Sequence, residues 1–123
     1  MVPTSRPLLP GIVQEFGRVL NEARAELLRA VATTEAELHA IEEREIGAPL
    51  EDAARVALLG ILARLDDREQ EEFDDIEAGL ERLRSGTFGV CEECRGQIPM
   101  PRLRAIPTAR RCLTCQSLRE EAR

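Results

Sequence analysis

The chain predicts a mainly α fold: a long antiparallel coiled-coil hairpin followed by a small four-cysteine module and a short C-terminal helix. Three observations carry that reading. Apolar residues recur at helical spacing through two segments of nearly equal length, on either side of Gly47 and Pro49. All four cysteines fall in one stretch, as Cys91-Glu92-Glu93-Cys94 and, seventeen residues on, Cys112-Leu113-Thr114-Cys115. Aromatic residues make up only 2% of the 123 and charged residues 33%, whereas hydrophobic residues, mostly Leu, Ala, Ile and Val, still reach 43%. That balance suits helices sharing a narrow apolar seam better than a thick globular core or a disordered chain.

In chain order, residues 1–10 carry three prolines and no helical period, which reads as a flexible leader. The arm follows over 11–86, with its tip near 46–53. Phe16, Leu20, Ala23, Leu27, Ala30 and Thr34 are spaced 4-3-4-3-4, and Leu38 and Ile41 continue the stripe after a slip, so the first helix is expected over 11–46. Glycine favours helix ends and proline is tolerated in the first turn, so the second helix is expected over 49–84, with Glu51 and Asp52 at the positive end of its dipole. Its stripe is Ala54, Leu58, Ile61, Leu62, Leu65, Phe73, Ile76, Leu80 and Leu83, and Ser85-Gly86 supplies the stop. A short connection between the two makes them antiparallel, in an arm roughly 50 Å long at about 1.5 Å per residue. The seam is weakest at 66–72, which contain no apolar residue. This stretch reads as a solvated, locally flexible face or as an acidic patch for a basic partner.

Residues 87–123 form the remaining module. Two C-x-x-C pairs at this separation are the signature of a C4 zinc finger, because each pair grips one tetrahedral ion from a tight turn. Cys91, Cys94, Cys112 and Cys115 are the expected ligands of one structural Zn²⁺; iron, another metal or disulfides are the readings left over. No export signal favours disulfides, and no βαβ context favours a redox pair. Four thiolates leave no open coordination position, so the ion folds the module rather than doing chemistry.

Net charge is -6, and it is unevenly spread: 66–82 hold nine acids and two arginines, whereas 95–111 hold five arginines and no acid. Without aromatics to stack bases, that basic stretch is a poor footprint for nucleic acid, and no specific DNA binding is expected. His39 reads as a helix-surface residue. No nucleophile–base arrangement, phosphate loop or paired-carboxylate pocket appears, so an enzyme is not expected. No apolar run is long enough to span a membrane, and a cytoplasmic monomer is expected.

The stretch Ser85-Gly86-Thr87-Phe88-Gly89-Val90-Cys91-Glu92-Glu93-Cys94, with Gln97-Ile98-Pro99, Arg102-Leu103, Ala105, Pro107-Thr108-Ala109 and Cys112-Leu113-Thr114-Cys115-Gln116, resembles the DksA/TraR family of C4 zinc-finger proteins. The resemblance implies a bacterial transcription regulator that binds RNA polymerase directly. In that family the coiled-coil arm enters the secondary channel and its tip approaches the catalytic centre, while the finger joins the hairpin to a C-terminal helix, here 112–122. The family's tip motif, Asp-x-x-Asp-x-Ala, falls on Ala48-Pro49-Leu50-Glu51-Asp52-Ala53. Glu51 keeps the second carboxylate and Ala53 the alanine; Ala48 replaces the first aspartate, with Asp52 close by. Asp75, Ile106 and Gln116 stand where alarmone-binding members carry basic residues, so alarmone sensing at that site is not expected. The competing readings are a coiled-coil and zinc-finger adaptor that binds another protein or itself, and a nucleic-acid-binding finger.

Overall fold

A computed structural model describes residues 8–47 and 49–122. Six helices follow one another: α1 Pro10–Val31, α2 Glu35–Glu45, α3 Asp52–Arg64, α4 Asp67–Ser85, α5 Met100–Ala105 and α6 Leu113–Glu121. Among the described residues the only extended pairing is an isolated antiparallel bridge between Val90 and Gln97. The mainly helical fold, with an antiparallel hairpin leading into a four-cysteine module and a short C-terminal helix, is as expected. Seven residues of the expected leader, 1–7, lie outside the described residues.

Contacts divide the chain into two compact units: Val19–Glu77, and the flanking segments up to Arg18 and from Ala78 onward. In Val19–Glu77 the structure departs from two unbroken helices, because each is interrupted once. Residues 32–34 separate α1 from α2, and residues 65–66 separate α3 from α4. The cause is local capping. The Thr34 hydroxyl accepts the Glu37 amide at 3.1 Å. Asp66 and Glu69 satisfy each other's backbone amides reciprocally, at 2.8 and 3.0 Å. Both are the S/T/D-x-x-E pattern of a helix start, and each offers the backbone an alternative to continuing the preceding helix.

The first break reverses the chain. If α2 continued the axis of α1, Arg29 and Glu45, sixteen residues apart, would be separated by about 24 Å. Instead their side chains meet at 2.9 Å, so α2 lies back along α1. Glu77 of α4 accepts Arg24 of α1 and Arg44 of α2, each at 2.8 Å, which brings three segments together at one level. The segments of this unit therefore run up, down, up and down, with both breaks at one end and the 46–51 turn at the other.

Their common core is Ala25, Leu28, Ala40, Ile41, Leu58, Ile61 and Phe73, flanked by Leu27, Val31, Leu50, Ala54, Leu62 and Leu65. Ala40 and Ile61 are fully buried, which four surrounding segments achieve more readily than two. The seam of the first helix shifts accordingly. Ala30 and Thr34 are exposed and Leu38 is 42% exposed, whereas Leu28 and Ala40 take inward positions. In the second segment the expected residues Leu58, Ile61, Phe73, Ile76 and Leu80 are all buried.

One carboxylate sits inside this bundle. Glu37 is 7% exposed and accepts from the Thr33 amide at 2.9 Å, the Thr33 hydroxyl and the Arg64 guanidinium. The same guanidinium reaches the Val31 carbonyl at 3.4 Å, so one polar cluster spans both breaks. The hydrogen bond from Arg64, then that from the Thr33 amide, hold the Glu37 carboxyl below its ordinary range despite burial. Gly60 makes room for it: a Cβ there would lie 3.2 Å from Glu37 Oε2.

Candidate functional site

The second unit is built around the cysteines. α4 ends at Gly86, whose φ of 78° is the left-handed conformation that lets the chain leave a helix cheaply. The Thr87 and Phe88 amides both return to the Arg82 carbonyl, at 2.9 and 3.1 Å. Phe88 then packs on Phe16 of α1, ring centroids 5.0 Å apart and tilted by 44°. Ile98, Leu103 and Ala109 are also buried in this unit, a core too small to hold the segment by itself.

Each C-x-x-C pair is shaped by its backbone. In the first, the Cys91 amide donates to the Gly96 carbonyl (2.8 Å), the Arg95 amide donates to the Cys91 carbonyl (3.0 Å), and Arg95 itself has a φ of 65°. The Gly96 amide points at Cys94 Sγ, 3.4 Å away. In the second, Cys112 caps α6 and Cys115 lies in its first turn. A hydrogen bond from the Glu92 amide to the Arg110 carbonyl, 2.9 Å, ties the two pairs together.

All four sulfurs lie within 4.8 Å of one another, and Cys94 Sγ and Cys112 Sγ are 3.9 Å apart. A tetrahedron with Zn–S bonds of about 2.3 Å has sulfur–sulfur edges of about 3.8 Å, whereas a disulfide requires about 2.05 Å. Burial pushes the Cys91 thiol up, but the amides of Cys94, Cys112 and Glu93 and the Cys94 side chain outweigh it and bring it down to about 6. Cys115 is pushed up to about 12, first by the hydrogen bond with Cys112, then by burial and the other two sulfurs. Four thiolates this close cannot all be charged unless a cation shares them, and a soft divalent ion meets that need. The donor set fits one structural zinc, which neutralises the thiolates and cross-links the two pairs.

The five arginines of 95–111 are largely engaged within their own unit. Arg102 donates to the Arg111 carbonyl at 3.0 Å, Arg104 pairs with Glu15 at 3.3 Å, and Arg111 pairs with Glu92 and Glu93. Helix α5, with Leu103 buried, was not anticipated; Pro101 in its first turn was the available signal.

The expected tip residues belong to the other unit. Glu51 is the exposed N-cap of α3, Asp52 opens the helix with its side chain 97% exposed, and Ala53 is exposed behind it. Ala48 lies outside the described residues. Glu51, Ala53 and Ala54 face Ala36, His39, Ala40 and Glu43 of α2 across a shallow groove of about 190 Å³. His39 is at the surface, with Nε2 3.1 Å from Glu43.

Comparison with known proteins is consistent with this geometry. Residues 86–121 match the model of the prokaryotic dksA/traR C4-type zinc finger. The RNA polymerase-binding transcription factor DksA of Salmonella typhimurium is 32% identical over 108 residues, covering 88% of this chain and 71% of that protein. The Escherichia coli K12 protein of the same name is 32% identical over 105 residues, 85% of this chain and 69% of its own length. A protein of Aquifex aeolicus is 42% identical over 55 residues, a match spanning 45% of this chain and only 38% of that protein. Among solved structures, DksA2 of Pseudomonas aeruginosa superposes with a TM-score of 0.61 at 27% identity, over 92% of this chain and 86% of its own. The Chlamydia trachomatis Dks structure shares the fold, with a TM-score of 0.59 at 21% identity, covering 94% and 95% of the two chains. The chain belongs to the DksA/TraR family of C4-type zinc-finger proteins.

Proposed function

We propose that this protein regulates bacterial transcription by binding RNA polymerase directly, with the tip of its helical hairpin acting in the secondary channel. The observation that carries the reading is identity of about one third, sustained over 88% of the chain, to proteins named as RNA polymerase-binding transcription factors. On this reading Cys91, Cys94, Cys112 and Cys115 ligate the structural zinc, residues 87–123 form the finger, and residues 11–86 form the arm. Glu51, Asp52 and Ala53, with Ala48 beside them, are the residues presented to the enzyme. The protein works as a cytoplasmic monomer and reads no DNA sequence; the engagement of Arg102, Arg104 and Arg111 with neighbouring groups supports that, since it leaves less free positive charge for phosphates.

The tip residues cover little surface compared with a standard interface of ~800 Å² per partner, so most affinity comes from elsewhere in the protein. Glu51 therefore matters for the effect more than for binding. The test is capture of core polymerase with and without nuclease, followed by competition binding and multi-round transcription with Glu51→Ala. Binding kept within a few-fold with the transcriptional effect removed is expected; capture that disappears with nuclease, or loss of binding in Glu51→Ala, would overturn the reading.

A further inference from the structure

We propose that the α2–α3 hairpin is a folding arm, retracted in this structure, that swings out about the two breaks to become the distal half of one extended hairpin. In the folded bundle, α2 returns along α1. Arg44 and Glu45, immediately before the tip, are held to Glu77 and Arg29. The tip is thereby turned back beside the chain that leads to it, not carried at the far end of a straight arm.

Three features make this a hinge and not merely a different packing. The breaks lie together at one end of the unit: Val31 and Leu65 join the same apolar cluster, and Arg64 touches both the Val31 carbonyl and Glu37. Two short linkers at one level define one axis. Neither linker contains proline or glycine, consisting of Ala32, Thr33 and Thr34 on one side and Leu65 and Asp66 on the other. Their non-helical state rests on capping hydrogen bonds, which are exchangeable, and every residue in them can adopt helical dihedrals.

The contacts also divide cleanly. The Arg24–Glu77 pair lies within the α1–α4 half, and the Glu37–Arg64 pair lies within the α2–α3 half. Joining the halves are Arg29–Glu45, Arg44–Glu77, the hydrogen bond from Arg64 to the Val31 carbonyl at 3.4 Å, and apolar contact between Ala25, Leu28 and Phe73 on one side and Ala40, Ile41, Leu58 and Ile61 on the other. The two joining ion pairs are about one-third exposed at their carboxylates, so they steer the closed form more than they lock it. Opening parts the bundle along this seam and leaves each helix pair intact. What the opened arm reaches depends on the polymerase reading above; the motion itself does not.

The test compares the wild type with two designed variants, all zinc-loaded. Glu35→Pro with Asp67→Pro locks the folded form. These are the first residues of α2 and α4, where proline is tolerated, and Thr34 already has the extended backbone (φ -129°, ψ 158°) that proline requires ahead of it. In a continuous helix the same prolines would remove a hydrogen bond and clash. Thr33→Ala with Thr34→Ala and Asp66→Ala removes the caps and favours continuous helices. Spin labels on ketone-bearing residues at positions 26 and 46 leave the cysteines to the metal.

The wild type and the locked variant should give a short distance, and the straightened variant about 30 Å, the length of twenty residues of continuous helix. A straightened variant that keeps the short distance would overturn the hinge. In competition for core polymerase the locked variant should bind about tenfold or more weaker than the straightened one, as expected when the competent state is suppressed. Equal binding would overturn the retracted-state assignment. Failure of all three, wild type included, to bind would count against polymerase as the partner and leave the distances to decide the hinge.

Discussion

The four-cysteine module and the Val19–Glu77 bundle are held by different means, and each shows what the other lacks. The module has few buried apolar side chains, and its shape comes from turns, a left-handed Arg95 and one ion that joins residues far apart in sequence. The bundle has no cross-link; seven buried apolar residues from four segments hold it, with a single buried carboxylate among them. Where the core is thin, coordination replaces it. Where the core is adequate, the chain keeps breakable joints.

The largest effect that would separate the two is removal of one ligand. Cys94→Ser should abolish zinc binding and disorder residues 88–111, a loss on the order of 10 kcal/mol to the module. The amides of Leu28, Ile41 and Ile61 should keep their protection from hydrogen exchange. Metal analysis and exchange on the same sample check both halves, and equal loss of protection throughout would erase the distinction.

Ile61→Ala inverts the experiment. Ile61 is fully buried at the centre of the bundle, so its truncation should cost about 2–5 kcal/mol in denaturant unfolding followed by helix signal. Zinc content should stay at one per chain.

A smaller effect should appear on acidification. The Glu37 carboxyl titrates lower in the folded state than in the unfolded chain, so its stabilising contribution is full above the ordinary carboxylate pKa and is lost as pH falls through the lower, folded value. Glu37→Gln should therefore be less stable than wild type near neutrality, and the two should converge only once the pH has fallen below the lowered, folded-state value. The module should give way earlier, because its ligands must be deprotonated to hold metal. Zinc release and bundle unfolding followed across one pH series should be two separate transitions.

The smallest expected change is at Gly60. Alanine in mid-helix is ordinarily worth about 1 kcal/mol over glycine. Here its Cβ would press on a carboxylate fixed by three hydrogen bonds, so Gly60→Ala should gain nothing or lose less than about 1 kcal/mol. Combining it with Glu37→Gln should show whether the carboxylate's charge or its bulk is responsible.

The two regions also differ in how far they can be read from sequence. The cysteine spacing carries a geometric constraint that no tertiary contact overrides, and the sulfurs converge as the motif requires. The second helical stripe was legible most clearly at Phe73 and Ile76, which stand between acidic residues that resist burial, and Leu58 and Ile61 continue it at helical spacing. The first stripe was misread where Leu27 and Leu28 stand side by side, and periodicity cannot choose between adjacent leucines when a third and fourth helix supply the partner. Both breaks were written as cap signatures, Thr34-x-x-Glu37, which the apolar stripe running on to Leu38 concealed, and Asp66-x-x-Glu69, which opens the stretch without apolar residues. The reversal at residues 32–34 was not legible at all. It is steered by Arg29 meeting Glu45 and by Arg44 meeting Glu77, and charged residues on helix surfaces carry no address.

The contact between Phe16 and Phe88 has a consequence for synthesis. Val19–Glu77 is one continuous stretch, so it can fold as soon as the ribosome has released it. The other unit needs residues from both sides of that stretch. Glu15 meets Arg104 across 89 positions, and Phe16 must wait for Phe88. The first turns of α1 therefore emerge without their packing partner and stay unsatisfied until nearly the whole chain has been made. Metal capture then becomes the closing step of biogenesis, and zinc starvation should leave nascent chains with a finished bundle, a bare Phe16 and a tail that proteases can take.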